Sequence, residues 1–143
     1  MASLNLQLIC VEYFRDNLEL DDYMCAAMVG CMIAESLLNI KELEELEDKL
    51  KNIKDDILDG QYKNNFGKAI RKCKNLKEAV ATAYCRYFNG YSSKTTPAND
   101  GDIKRIDKYY NKENNDNSNI SGFSIRLKYA NQVLDNYHHS IDI

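Results

Sequence analysis

Glu35 is the residue whose type and setting most invite chemistry. It is the only charged side chain between Asp22 and Lys41, in a stretch otherwise rich in Met, Cys, Ala, Val, Ile and Leu. At about 100° per residue, Met24, Ala27, Met28, Cys31, Met32, Glu35 and Leu38 share one helical face. Cys25, Val29, Ile33, Ser36, Ala26, Ala34 and Leu37 cover the other sides. A helix apolar all round belongs in the middle of a fold, so a buried central helix is expected over about 23–38. A carboxylate in that stripe loses its hydration near a helix C-terminus that also opposes negative charge, and both effects raise its pKa. A Glu protonated near neutral pH is what a general acid for glycosidic cleavage requires. The same residues admit a second reading, in which Glu35 pairs with a buried base, for which Arg15, Arg86 and Arg126 are the candidates.

Other reactive side chains form no such setting. The five cysteines (Cys10, Cys25, Cys31, Cys73, Cys85) include no CxxC pair and an odd one. Most have apolar neighbours, where a free thiol behaves as a small hydrophobe, so free cysteines and a reducing environment at synthesis are expected. No Cys/His pair has zinc-ligand spacing, and His138-His139 reads as a polar tail. The Asn-rich stretch Asn111–Gly122 lacks the glycine and closing Glu of a calcium loop. Neither a metal nor a cofactor is expected. Lys68, Arg71, Lys72, Lys74 and Lys77 alternate with apolar residues and read as a solvated helix face. With a net charge of −3 they do not suggest a nucleic-acid partner. No apolar run approaches membrane-spanning length, so no membrane partner is expected. The Met1–Leu8 start lacks the features of a signal peptide, and synthesis in the cytoplasm follows.

The elements that must position Glu35 are helical. A length of 143 residues suits one domain with a real core, and the single proline leaves long stretches free of helix breakers. Ser3 caps a first helix with Leu4, Leu8, Val11 and Leu18 on one side. A third helix over about 41–58 carries the stripe Leu43, Leu46, Leu50, Ile53, Ile57 and ends at Asp59-Gly60. Phe66 to Cys73 suggests a short helix. Asn75-Leu76-Lys77-Glu78 opens another, running through Phe88. A short helix around Ile103–Tyr110 and a last one over Ser124–Tyr137 complete an all-α domain, with flexible loops near 91–101 and 111–122. The central helix is expected to meet the first and last helices.

The run Ala26-Ala27-Met28-Val29-Gly30-Cys31-Met32-Ile33-Ala34-Glu35-Ser36-Leu37-Leu38-Asn39 resembles the signature of phage tail lysozymes. In that family it reads Ala-Ala-Gly, two apolar residues, Gly-Asn, apolar, two variable residues, Glu-Ser-Gly, apolar, Asn-Pro. Tyr13-Phe14 and Leu18–Asp22 are similar to the family's opening helix and turn. Asp59–Phe66 resembles a stretch that follows Glu-Ser in some gut-phage members. Asn75–Ala79 with Tyr87-Phe88, then Arg126 with Tyr129-Ala130, resemble its closing helices. Cys31, Leu37 and Ile40 stand where the family has Asn, Gly and Pro. The family's Gly-Tyr-Gly-Leu-Ala-Gln-Trp cleft segment is absent, and the chain has no Trp.

The resemblance implies a compact lysozyme-like domain acting on peptidoglycan glycan strands, with Glu35 as general acid. Ser36, Asn39 and Tyr62 would contact substrate. A second carboxylate would activate water or stabilise the oxocarbenium ion, with Asp59 taken first and Asp55, Asp56, Asp100 and Asp102 as alternatives. Without one, internal attack by the sugar would need only the single acid. Two other readings stand beside the muramidase: a non-catalytic lysozyme-like module of a virion, contacting other virion proteins, and a small helical regulator that binds a partner protein.

Overall fold

The computed structural model describes residues 3–59, 64–89, 92–113 and 121–141, and they are all-helical, with no strand among them. The order is α1 (Leu4–Leu18), α2 (Asp22–Ala34), α3 (Leu43–Asp59), α4 (Asn64–Arg71), α5 (Leu76–Ala83) running into a π-helical turn (Tyr84–Phe88), α6 (Asp100–Glu113) and α7 (Gly122–Ile141). The all-α class expected from the sequence is the class observed.

Every residue of α2 from Met24 to Met32 is buried, which makes it the central helix. It packs most extensively on α7, then on α5 and α1, so α5 joins the two neighbours the sequence suggested. Gly30 sets the approach of α7: a Cβ there would lie 2.7–2.8 Å from the backbone N, Cα and Cβ of Ala130. Only a residue with no side chain lets the two backbones come so close.

The central helix ends at Ala34, short of the expected Leu38, and the reason is a C-terminal cap. The Ser36 N–H bonds the Ile33 carbonyl at 3.0 Å, and the Leu37 N–H bonds the Met32 carbonyl at 2.9 Å. This is the paired hydrogen-bond pattern of a Schellman motif, with Ser36 in the left-handed position (φ 59°) that glycine favours. Glu35 is therefore the cap residue, and its side chain is partly exposed rather than embedded in the apolar stripe. Ser36→Gly should stabilise the fold by about 0.5–1 kcal/mol, read as a higher midpoint in chemical denaturation. An unchanged or lower midpoint would mean that the serine side chain contributes more than its backbone strain costs.

The remaining helices follow their patterns with some differences. Ser3 caps α1 by accepting the Leu6 N–H at 3.2 Å. The helix buries Cys10, Val11, Phe14 and Leu18, and Leu4 stays exposed. On α3, Leu46, Leu50, Ile53 and Ile57 are buried as the stripe requires, but Leu43 is exposed. Asn75 caps α5 through the Glu78 N–H at 2.8 Å. The expected continuous helix to Phe88 widens at Tyr84 into the π turn, a form that recurs at functional sites. There Tyr84, Arg86 and Tyr87 each donate to a carboxylate, of Asp107, Asp102 and Asp56, at 2.7, 3.0 and 3.0 Å.

Residues 92–99 form a loop, and several bonds anchor it. Arg86 reaches the carbonyls of Thr96 and Pro97, Lys72 that of Thr95, and Asn65 that of Ser93, while Ala98 donates to the Thr82 hydroxyl. Of the second expected loop, 114–120 lies outside the described residues; α6 runs on to Glu113 and α7 starts at Gly122. Among the described residues no helix is long and apolar enough to cross a membrane.

Candidate functional site: an arginine-centred polar network

Glu35, at the end of α2, meets Arg126 from the second turn of α7. The Arg126 side chain is 1% exposed and that of Glu35 28%, and Arg126 Nη2 donates to Glu35 Oε1 at 2.6 Å. Arg126 Nη1 donates to the Gly122 carbonyl at 2.9 Å. Its guanidinium carbon lies 4.7 Å from the centroid of the Tyr84 ring, within cation–π range. The Tyr84 hydroxyl donates to Asp107 Oδ1 at 2.7 Å. Asp107 also accepts the Ser121 hydroxyl and, at 3.1 Å, the Phe123 N–H at the start of α7. Glu35, Arg126, Tyr84 and Asp107 thus form one chain of contacts that joins α2, α7, the π turn and α6.

The charges in this chain support one another. Burial alone would pull the Arg126 pKa down, but the Glu35 hydrogen bond and charge outweigh it and hold the guanidinium above its usual value. Burial, and next the bond to Asp107, push the Tyr84 hydroxyl well above the usual tyrosine range, so it stays a neutral donor. A carboxylate bound to a buried guanidinium makes a charge-assisted hydrogen bond. This is the paired arrangement the sequence left open, with Arg126 as the base. Arg15 instead donates to the Tyr137 hydroxyl, and Arg86 is spent on Asp102.

Ser36, next to Glu35 in the chain, and Asn39 are both exposed in the segment that follows α2. Tyr62 and the side chain of Asp59 lie outside the described residues, and nothing places them near Glu35. The other carboxylates considered are committed elsewhere. Asp55 binds Lys51 at 2.8 Å, Asp56 accepts from Tyr87, and Asp102 is buried against Arg86 at 3.0 Å. Asp100 lines a separate cavity of about 310 Å³ with Asn75, Lys77 and Glu78. Asp107 is the carboxylate that shares a network with Glu35. Its only signal in the sequence is that it follows Ile103 by four residues and so lies on the apolar face of α6.

The five cysteines are free and buried. Burial pushes Cys10, Cys25, Cys31 and Cys85 up to about 12 and Cys73 to about 11, which leaves neutral thiols and no activated nucleophile. No match to this chain was found among protein-family models, curated proteins or solved structures.

A second buried pair, Arg86–Asp102, gives the fold a pH limit. Burial opposes the Asp102 charge, yet the Asn99 N–H and then Arg86 outweigh it and leave the carboxyl below its usual value. A depressed folded-state pKa contributes stability above the unfolded value of about 3.9, and that contribution is lost as pH falls through the folded value. Thermal melts should therefore show stability falling below about pH 4. Asp102→Asn should be less stable at neutral pH and flatten that acid limb; an unflattened limb would assign the acid sensitivity to other groups.

Proposed function

We propose that this chain is a lysozyme-like helical module that binds peptidoglycan glycan strands across the surface at the end of α2, without cleaving them. One observation carries the absence of cleavage: Glu35, which the motif marks as the acid, is paired with a buried Arg126 at 2.6 Å. A general acid must present its carboxyl to the glycosidic oxygen, and this pairing commits Oε1 to the Arg126 guanidinium. The missing cleft segment agrees with it. Glycan binding is supported by the resemblance over Ala26–Asn39 and by the exposure of Ser36 and Asn39 in the segment after α2.

A muramidase is the second reading, favoured by the 28% exposure of the Glu35 side chain, which leaves its carboxyl within reach of solvent.

Co-sedimentation with purified peptidoglycan sacculi tests the proposal. The chain should pellet with sacculi, and Asn39→Ala should bind about fivefold more weakly, the effect of losing one hydrogen bond worth roughly 1 kcal/mol. A chain that stays in the supernatant at every concentration would sink glycan binding and leave a protein partner as the better account.

A further inference from the structure

Away from Glu35, α1 and α3 leave an open groove of about 660 Å³ between them. Its apolar surface comes from Ile9, Tyr13, Leu43 and Leu50. Leu43 is 55% exposed, although the pattern of α3 assigns it to the buried stripe. The two rims differ in charge. Glu12 and Asp16 stand on the α1 side; Lys51 and Lys54 stand on the α3 side, with Glu47 as its one acid.

We infer that this groove is the docking surface for a second copy of the chain, in a two-fold dimer. A two-fold axis through the groove lays α1 of each copy over α3 of the other, because in such an interface residue i meets j and j meets i. Glu12 and Asp16 of each copy then face Lys51 and Lys54 of the other, twice over, and the exposed Leu43 side chains are covered. A partner of different sequence would need both signs of charge in matching places, which a second copy has by construction. The existing contacts do not compete strongly. Asp16 is bonded to Arg15 at 3.1 Å and Lys51 to Asp55 at 2.8 Å, both on the surface, where ion pairs exchange partners at little cost.

Sedimentation velocity on the full chain, up to about 100 µM and at low and high salt, tests this. A dimer is expected at low salt, shifting towards monomer as salt screens the rims. Glu12→Lys with Asp16→Lys should give monomer, and adding Lys51→Glu with Lys54→Glu should restore the dimer. All four side chains lie at the rim, so each variant should keep the parent circular dichroism spectrum. Leu43→Ser, at an exposed position, should also weaken the dimer. A wild-type chain that is monomeric throughout at low salt would overturn the inference. So would a dimer unmoved by the first charge reversal, or a four-site variant that stays monomeric.

Discussion

Glu35→Gln is expected to lower the unfolding free energy by about 2–4 kcal/mol, since removing one partner of a buried ion pair weakens what holds the other charge. Arg126, 1% exposed, would keep only a neutral acceptor where it had a carboxylate. The 28% exposure of Glu35 lets water supply part of the loss, which holds the figure towards the low end. The sign is what decides. An acid buried without a partner would give the opposite result, because making it neutral would raise the melting temperature or leave it unchanged. Arg126→Met is costly as well, since it breaks the bond to Gly122 and the stacking on Tyr84. In the double variant, however, the two losses should fall short of their sum by at least about 1 kcal/mol, the signature of direct contact. Chemical denaturation of the four proteins measures it, and strict additivity would show that the pair contributes nothing to stability.

Gly30→Ala should cost about 2–4 kcal/mol, and Gly30→Val should prevent folding, because the added carbon meets a backbone that cannot turn aside. The obstruction is the N and Cα of Ala130 at 2.7–2.8 Å as well as its Cβ, so Ala130→Gly should rescue Gly30→Ala only in part. Full rescue would mean that the side chain alone sets the separation of α2 and α7. No loss in Gly30→Ala would mean that the helices slide apart without penalty.

Much of the fold is legible in the sequence because it is local. Ser3 and Asn75 announce helix starts by the side-chain oxygens they offer, and Leu46, Leu50, Ile53 and Ile57 announce the face of α3 by spacing. The site is harder to read because it depends on backbone detail and distant partners. Helical periodicity carries Glu35 on into the apolar stripe; the left-handed Ser36 that ends α2 lies in a run with no glycine to signal it. Arg126 is 91 positions from Glu35, so the sequence could name it only as one of three candidate bases. Asp107 is not among the candidate carboxylates, since its role arises where α6 meets Tyr84 on the π turn, and no one-dimensional pattern marks that turn. Leu43 departs from its stripe for a related reason. Periodicity gives the face of a helix and not whether a neighbour covers its first turn.

The claim that Glu35 is committed to Arg126 and not poised as an acid has a direct chemical test. Purified sacculi incubated with the wild-type chain can be assayed by chromatography for soluble muropeptides, beside Glu35→Gln and a known lysozyme. The ion pair predicts that wild type and Glu35→Gln both release no more than the buffer blank, while the lysozyme control digests the wall. Muropeptide release by wild type that disappears in a folded Glu35→Gln protein would contradict this and make the chain a muramidase.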